Sequence, residues 1–382
     1  MRLALAAVPT FALLVLGCSA SDDTPTTPPT GTADAGAVAD GAAVDASPGP
    51  NDAGPPAPAS VGVFVASGHA GRTIVSCDDG KTWRFDQSLD ANLRCFADAA
   101  SDCDHHPGAA RGLTYGNGWF FRTNGWGKPG AVSRSRNGIA WEPVTKDTTF
   151  GGVVFQNNVV VLGARTPQVS TNDGATFTPG ADGAIQGWNV RRASVASGLF
   201  WLLGDDGSDV SHSADGKTWT AVKNMPVDCG KMQGGGGFAS IGTTIVLAGE
   251  TNVVCRSTDS GTTWTQGTFP DGAVPNSPLL VTNGEFRTWG GGKMLASKDG
   301  ATWTATPLTT PVPLGVIAQS AGGTYVSVRG GWQTWYEKQA FYRSTDGITW
   351  TTLSAADAPG GHPIGWMTWG RVPAELACVA SK

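Results

Sequence analysis

Ser257-Thr258-Asp259-Ser260-Gly261-Thr262-Thr263-Trp264 decides the reading of this chain, because the phrase returns in six other places. Ser76 to Trp83 and Ser170 to Phe177 keep its full length, while Ser213 to Trp219, Ser297 to Trp303 and Ser344 to Trp350 are one residue shorter. Ser135-Arg136-Asn137-Gly138-Ile139-Ala140-Trp141 is the most divergent copy. The copies end at Trp83, Trp141, Phe177, Trp219, Trp264, Trp303 and Trp350, at spacings of 58, 36, 42, 45, 39 and 47 residues. Those intervals average about 44 residues, the length of one four-stranded propeller blade. Between the copies lie short alternating runs closed by Gly, Asn or Asp, and no long stretch has a helical apolar period. That is an all-β pattern. The expectation is a seven-bladed β-propeller of four-stranded blades over residues 61–382.

The phrase also has a local chemistry. Its Gly supplies the positive φ that a tight turn needs, and its Asp or Asn can accept hydrogen bonds from backbone N–H groups of the turn. Asp78, Asn137, Asn172, Asp215, Asp259, Asp299 and Asp346 therefore read as structural turn residues rather than calcium ligands. The closing aromatic is expected in the seam between blades. In the second unit the strands read Arg111–Tyr115, Trp119–Thr123, Ala131–Ser135 and Trp141–Thr145. The first unit has strands near 61–66, 72–77 and 82–86 but nothing before them for an inner strand. A leftover segment, Ile364–Gly370, fits that gap, so the ring is expected to close with a C-terminal strand in the N-terminal blade and leave no open edge.

This phrase resembles the Asp-box, or BNR repeat, of sialidases and many other propellers. Sialidase activity would require an Arg triad, a Phe/Tyr-Arg-Ile-Pro motif before the first box, and a Tyr nucleophile with a Glu. Nothing of the kind precedes Ser76, and Gly370-Arg371-Val372-Pro373 is the nearest echo, at the wrong end. Tyr336 and Glu337 are adjacent, which on a strand sends them to opposite faces. The likeness therefore implies the scaffold and not that reaction. A seven-bladed Asp-box lipoprotein that assists photosystem assembly offers a scaffold-class analogy.

The chain begins as an export signal: Arg2, an apolar run from Leu3 to Leu16, and Val15-Leu16-Gly17-Cys18, which resembles a bacterial lipobox. The resemblance implies removal of residues 1–17 and lipidation of Cys18, with Ser19 directing the protein to the outer membrane. The apolar run is shorter than the ~20 residues that span a bilayer. Residues 18–60 then form a Pro/Ala/Asp-rich tether, with Asp22, Asp23, Asp34, Asp40, Asp45 and Asp52 and no Lys or Arg. Such a composition cannot bury enough surface to offset its ordering entropy.

Removing Arg2 takes the basic count from 26 to 25, and removing the six tether Asp takes the acidic count from 31 to 25. The propeller region is close to neutral, which excludes the basic excess of a nucleic-acid binder. Membrane attachment is expected through the lipid alone. Besides Cys18, six cysteines remain, Cys77, Cys95, Cys103, Cys229, Cys255 and Cys378. In an exported chain they favour disulfides, with about 15 possible pairings. Cys95–Cys103 would close a small loop, Cys229–Cys255 would join a connection to the next blade, and Cys77–Cys378 would staple the two ends.

Strand order places every Asp-box on one face of the disc and the longer connections on the other. Four of the five histidines fall in those longer connections: His69, His105, His106 and His362. Asp104 and Arg111 lie beside them, and Trp126, Trp332, Trp335, Tyr336 and Glu337 lie on neighbouring hairpins. Aromatic, Arg and Asp side chains at one mouth suit a binding face for a glycan or an envelope protein. The competing reading is a polysaccharide lyase or hydrolase using His105, His106 or His362 as acid–base groups. No cofactor is expected, and a metal at the histidines has no further support in the sequence. Gly125 to Gly130 matches a dinucleotide pattern but sits in a hairpin with no helix after it.

Overall fold

The computed structural model describes residues 59–69, 71–88, 110–125, 130–146, 148–185, 190–204, 209–230, 237–328 and 339–379. They form seven four-stranded antiparallel sheets, and the innermost strand of the seventh sheet packs on that of the first. The protein is a seven-bladed β-propeller. Within each blade the strands are lettered A, innermost, to D. Blade 2 shows the plan: Ala110–Gly116, Trp119–Asn124, Ala131–Ser135 and Glu142–Lys146.

Blade 1 is assembled from both ends of the chain. Ser60–Gly68, Thr73–Ser76 and Arg84–Gln87 are its B, C and D strands, and Ile364–Pro373 is its A strand. The closing strand runs beyond the expected Ile364–Gly370, because Arg371, Val372 and Pro373 pair with Gly62, Val61 and Ser60. Pro373 is tolerated at the last rung, where a missing N–H interrupts nothing. Strand B of this blade is apolar on both sides for a reason. Phe64 and Ala66 enter the seam with blade 7, against Val326, Val328 and Phe341. Val63 and Val65 enter the seam with blade 2, against Leu113 and Phe120. Blade 1 is thus a sheet with two covered faces, and its B strand reads as a nearly continuous apolar run.

The repeated turn makes its own hydrogen bonds and also locks adjacent blades. In blade 5, Gly261 N–H donates to Ser257 Oγ at 2.8 Å, while Thr263 N–H and Thr263 Oγ1 donate to Asp259 Oδ1 and Oδ2 at 2.8 and 2.7 Å. These donors hold the Asp259 carboxyl down at about 2. Asp299 and Asp346 are likewise held at about 2, although burial opposes the shift and is the largest influence on Asp346. Asn137 accepts the Ile139 and Ala140 N–H groups in the same way without a charge. Trp264 Nε1 donates back to Gly261 O at 3.0 Å, and the indoles of Trp141, Trp219, Trp303 and Trp350 repeat that bond. Trp83 instead sits in the ring-closing seam, 4.6 Å from the Phe341 ring.

Gly261 has φ +94°, and a Cβ there would fall 2.3 Å from the Trp201 ring of blade 4. The equivalent glycine of every other box faces the B strand of the preceding blade, as Gly80 faces Val326 and Gly138 faces Val65. The turn is therefore a peg inserted into its neighbour. Three arginines just before box serines add a second peg. Arg134, Arg256 and Arg343 donate to the backbone carbonyls of Asp173, Asp299 and Asp79 in the next blade, at 2.7, 2.6 and 2.8 Å.

Among the described residues two disulfides are formed, Cys77–Cys378 and Cys229–Cys255. Cys95 and Cys103 lie outside the described residues. Cys77–Cys378 ties the first box to the segment after the closing strand, where Asn137 Nδ2 also donates to Leu376 O and Val379 O at 3.4 Å. Cys229 is carried by a single helical turn, Val227–Gly230, which the all-β reading did not anticipate.

Candidate functional site

Antiparallel order sends the C–D turns, which are the boxes, and the A–B turns to one face. The A–B turns are minimal: Asn117-Gly118 and Asn283-Gly284 both take positive φ at each position, as two-residue hairpins require. The B–C and D–A connections reach the other face, and the inner strands begin there. This second end of the channel is where side chains from several blades converge.

Of the residues singled out from sequence, His105, His106, Asp104, Trp126, Trp332, Trp335, Tyr336, Glu337 and Cys18 lie outside the described residues. His69, Arg111 and His362 are described. His69 and His362 are near enough for the charge of one to depress the pKa of the other. Both are buried, however, at 8% and 3% exposure. This departs from the expected solvent-facing rim. The cause is Arg72, fully buried at the end of the blade 1 B–C hairpin. Its Nε and Nη2 donate to the two Asp86 carboxylate oxygens at 2.8 Å each, and Nη1 donates to His362 O at 2.7 Å. His69 N–H donates to Pro363 O at 3.0 Å. Together these bonds fold the approach to the closing strand over both imidazoles. Burial, and then His362, lower the His69 pKa to about 4, so the ring is neutral at pH 7.

Arg111 belongs to a different constellation that sequence reading missed. The A strands of blades 1, 2 and 4 each carry a register shift near their starts, at Gly365, Arg111 and Arg191. A bulge leaves its extra residue outside the ladder and re-aims it. In blades 2 and 4 that residue is arginine. Arg111 Nη2 donates to Val190 O of blade 4 at 3.1 Å. Two residues on in blade 4, Arg192 lays its guanidinium 4.2 Å over the Trp366 ring of blade 1. Trp366 Nε1 in turn donates to Ala110 O of blade 2 at 3.0 Å. Three blades are thus bridged at the channel mouth. Burial, opposed by Glu250 and reinforced by Arg191 and Arg111, brings the Arg192 pKa down to about 10. It stays charged, among like charges. The signal was present in the sequence as arginine at the same place in two repeats, Arg111 and Arg191-Arg192, but the blade 4 pair was not aligned with the blade 2 strand.

A second feature of this face is a cavity of about 240 Å³ on blade 6, lined by Trp289, Lys293, Leu308, Leu314 and the Gly290–Gly292 hairpin. Lys293 Nζ is engaged by Asp271 at 2.6 Å. Among the described residues no group of three or more His, Cys, Asp or Glu side chains is arranged to hold a metal ion.

No family model matches the chain. No curated protein matches it either. Solved propellers do. AztD from Citrobacter koseri, in its apo form, superposes with a TM-score of 0.51 at 10% identity, over 82% of this chain and 99% of that one. Virginiamycin B lyase from Staphylococcus aureus gives 0.49 at 13% identity, over 65% and 85% of the two chains. YCF48 bound to D1 peptide gives 0.48 at 14% identity, over 69% and 85%. At these identities the likeness is one of fold.

Proposed function

We propose that this is an exported lipoprotein, anchored through Cys18 on the tether of residues 18–60, whose propeller recognises an envelope glycan on the face opposite the boxes. The observation that carries the reading is the difference between the two faces. The boxes are engaged by their own turns and by the preceding blade, whereas the opposite mouth gathers Arg111, Arg191, Arg192 and Trp366 from three blades. Polar and aromatic groups drawn from distant segments to one concave end are the usual composition of a recognition site. Strand B of blade 1 starts at Ser60 on the box face, so the chain enters the disc from the face opposite the mouth. The outer membrane is the proposed location, and an envelope protein is the competing ligand.

Two measurements test this. Metabolic labelling with a fatty acid should mark the native chain and not Cys18→Ala, and equal labelling would refute the anchor. Binding of the tether-plus-propeller chain to an envelope-glycan array should be lost in Trp366→Ala while box substitutions such as Lys298→Ala leave it unchanged. Retained binding in Trp366→Ala would move the site elsewhere.

A further inference from the structure

We infer that the seam between blades 1 and 2 holds a small monovalent anion of the chloride class, bound among Ser67, Thr73, Arg122 and Asn124. The site is separate from whatever the mouth recognises.

Strand alternation brings the four side chains to one place. Val65 and Val75 enter this seam from blade 1. Ser67 and Thr73, direct cross-strand partners, follow them two residues nearer the mouth and so lie on the same side of the sheet. Phe120 enters the seam from blade 2. Arg122 and Asn124 follow it at the same period of two, in a register unbroken from Phe120↔Ser135 to Asn124↔Ala131. Arg122 crosses to the other blade. Its Nη1 donates to Gly71 O of the blade 1 B–C hairpin at 3.1 Å, and its guanidinium lies 4.3 Å over the Trp141 ring.

All four residues are buried, at 0, 1, 8 and 1% exposure in sequence order. Ser67 Oγ, Thr73 Oγ1, Arg122 Nε and Asn124 Nδ2 each have no hydrogen-bond partner among the described residues. Buried polar atoms are normally paired, so four such atoms in one seam call for an occupant. The chemistry of the set names its class. Guanidinium Nε and amide Nδ2 donate and cannot accept, and a hydroxyl can turn to donate. Burial lowers the Arg122 pKa to about 10, so the seam carries a positive charge at pH 7. A water molecule would have to place two donors of its own among these donors and would bring no charge. An anion accepts from every side and meets the charge. Val63, Val65, Leu113 and Phe120 wall the seam toward the box face, which suits a singly charged ion over a phosphate with its larger desolvation cost.

The test uses the full tether-plus-propeller chain, dialysed into gluconate, with chloride and bromide as probes. The chloride NMR line should broaden with protein in a saturable way, and bromide should reverse it. Arg122→Gln should weaken the affinity about tenfold or more, the range for bonds to a charged group. Asn124→Leu should weaken it severalfold, while Arg371→Gln, an exposed guanidinium, should leave it unchanged. Crystals grown in bromide should show anomalous density within hydrogen-bond reach of Arg122 Nε and Asn124 Nδ2. Should Arg122→Gln fail to fold, Asn124→Leu and the native bromide map decide the matter. Ordered water at that place in bromide, or equal broadening in the native chain and in Asn124→Leu, would overturn the inference.

Discussion

Replacing Gly261 by Ala should destabilise the propeller by more than backbone conformation can explain. Two terms add at this site. A non-glycine residue at φ +94° costs roughly 1–2 kcal/mol. The new Cβ would also stand 2.3 Å from a Trp201 ring carbon. Trp201 is fully buried between Phe238 and Trp264, with ring centroids 4.8 and 5.9 Å away. It cannot swing clear, so overpacking should add about 1–3 kcal/mol. Gly198 provides the control. It lies in the A–B turn of blade 4, the blade of Trp201, with φ +73° and nothing within 4 Å of its would-be Cβ, so Gly198→Ala should cost only the first, roughly 1–2 kcal/mol term. A domain of about 320 residues has an unfolding entropy near 0.7 kcal/mol/K. The control should then melt ~2–3 °C low and Gly261→Ala ~3–7 °C low. Urea midpoints under non-reducing conditions, with matched slopes, give the same comparison without relying on a reversible melt. Equal losses in the two variants would show that the box glycine serves its own turn and not the seam between blades.

Acid should act on the boxes and on the buried histidine in different windows. Asp259, Asp299 and Asp346 are held at about 2 when folded, so their contribution is complete above the ordinary carboxylate range and is lost as pH falls from about 4 toward 2. Asn at these positions, as nature has it at Asn137 and Asn172, should flatten that limb of a urea-midpoint profile, and an unaltered limb would refute the assignment. His69 titrates near 4 when folded against 6.5 ordinarily. The unfolded chain therefore takes up a proton first, and stability is lost as pH falls from about 6.5 to 4, by on the order of 3 kcal/mol. His69→Gln should remove the slope in that window alone. Cys77–Cys378 closes a loop of 301 residues and Cys229–Cys255 one of 26. Chain entropy then assigns roughly 5–6 and 3–4 kcal/mol to them as upper bounds. Cys77→Ser with Cys378→Ser should lower the urea midpoint further than the other pair of serines, and the reverse ranking would place the ring's weak point in blade 5 instead.

The ring was legible because its defining unit is local. Ser257 to Trp264 closes nearly all its hydrogen bonds within eight residues, so each copy announces itself without reference to the rest of the fold. The leftover Ile364–Gly370 pointed to the closing strand for the same reason, by counting strands. Its last three residues, Arg371 to Pro373, lie beyond the expected Ile364–Gly370, because nothing local reveals that Ser60 waits opposite Pro373. The inter-blade half of the box was also hidden. Gly261 needs to be glycine for its φ, which the turn predicts, and again for Trp201, which lies 60 residues away in sequence and only the assembled ring brings near.

The site obeys the opposite rule, and that explains why loop location misled. Sorting residues to a face says which end of the disc they reach, but not whether they point outward. His69 and His362 reach the expected end and are then covered, because Arg72 finds Asp86 and two backbone carbonyls there and draws the chain in over them. Arg192 reaches the same end and stays partly open, stacked on an indole that is itself hydrogen-bonded to another blade, with Glu250 near enough to act on its charge. Arginine plays both parts within one mouth, and the partner decides which. A guanidinium that meets a carboxylate on its own blade becomes structure. One that stacks on a ring from across the channel instead ties two blades together at the mouth.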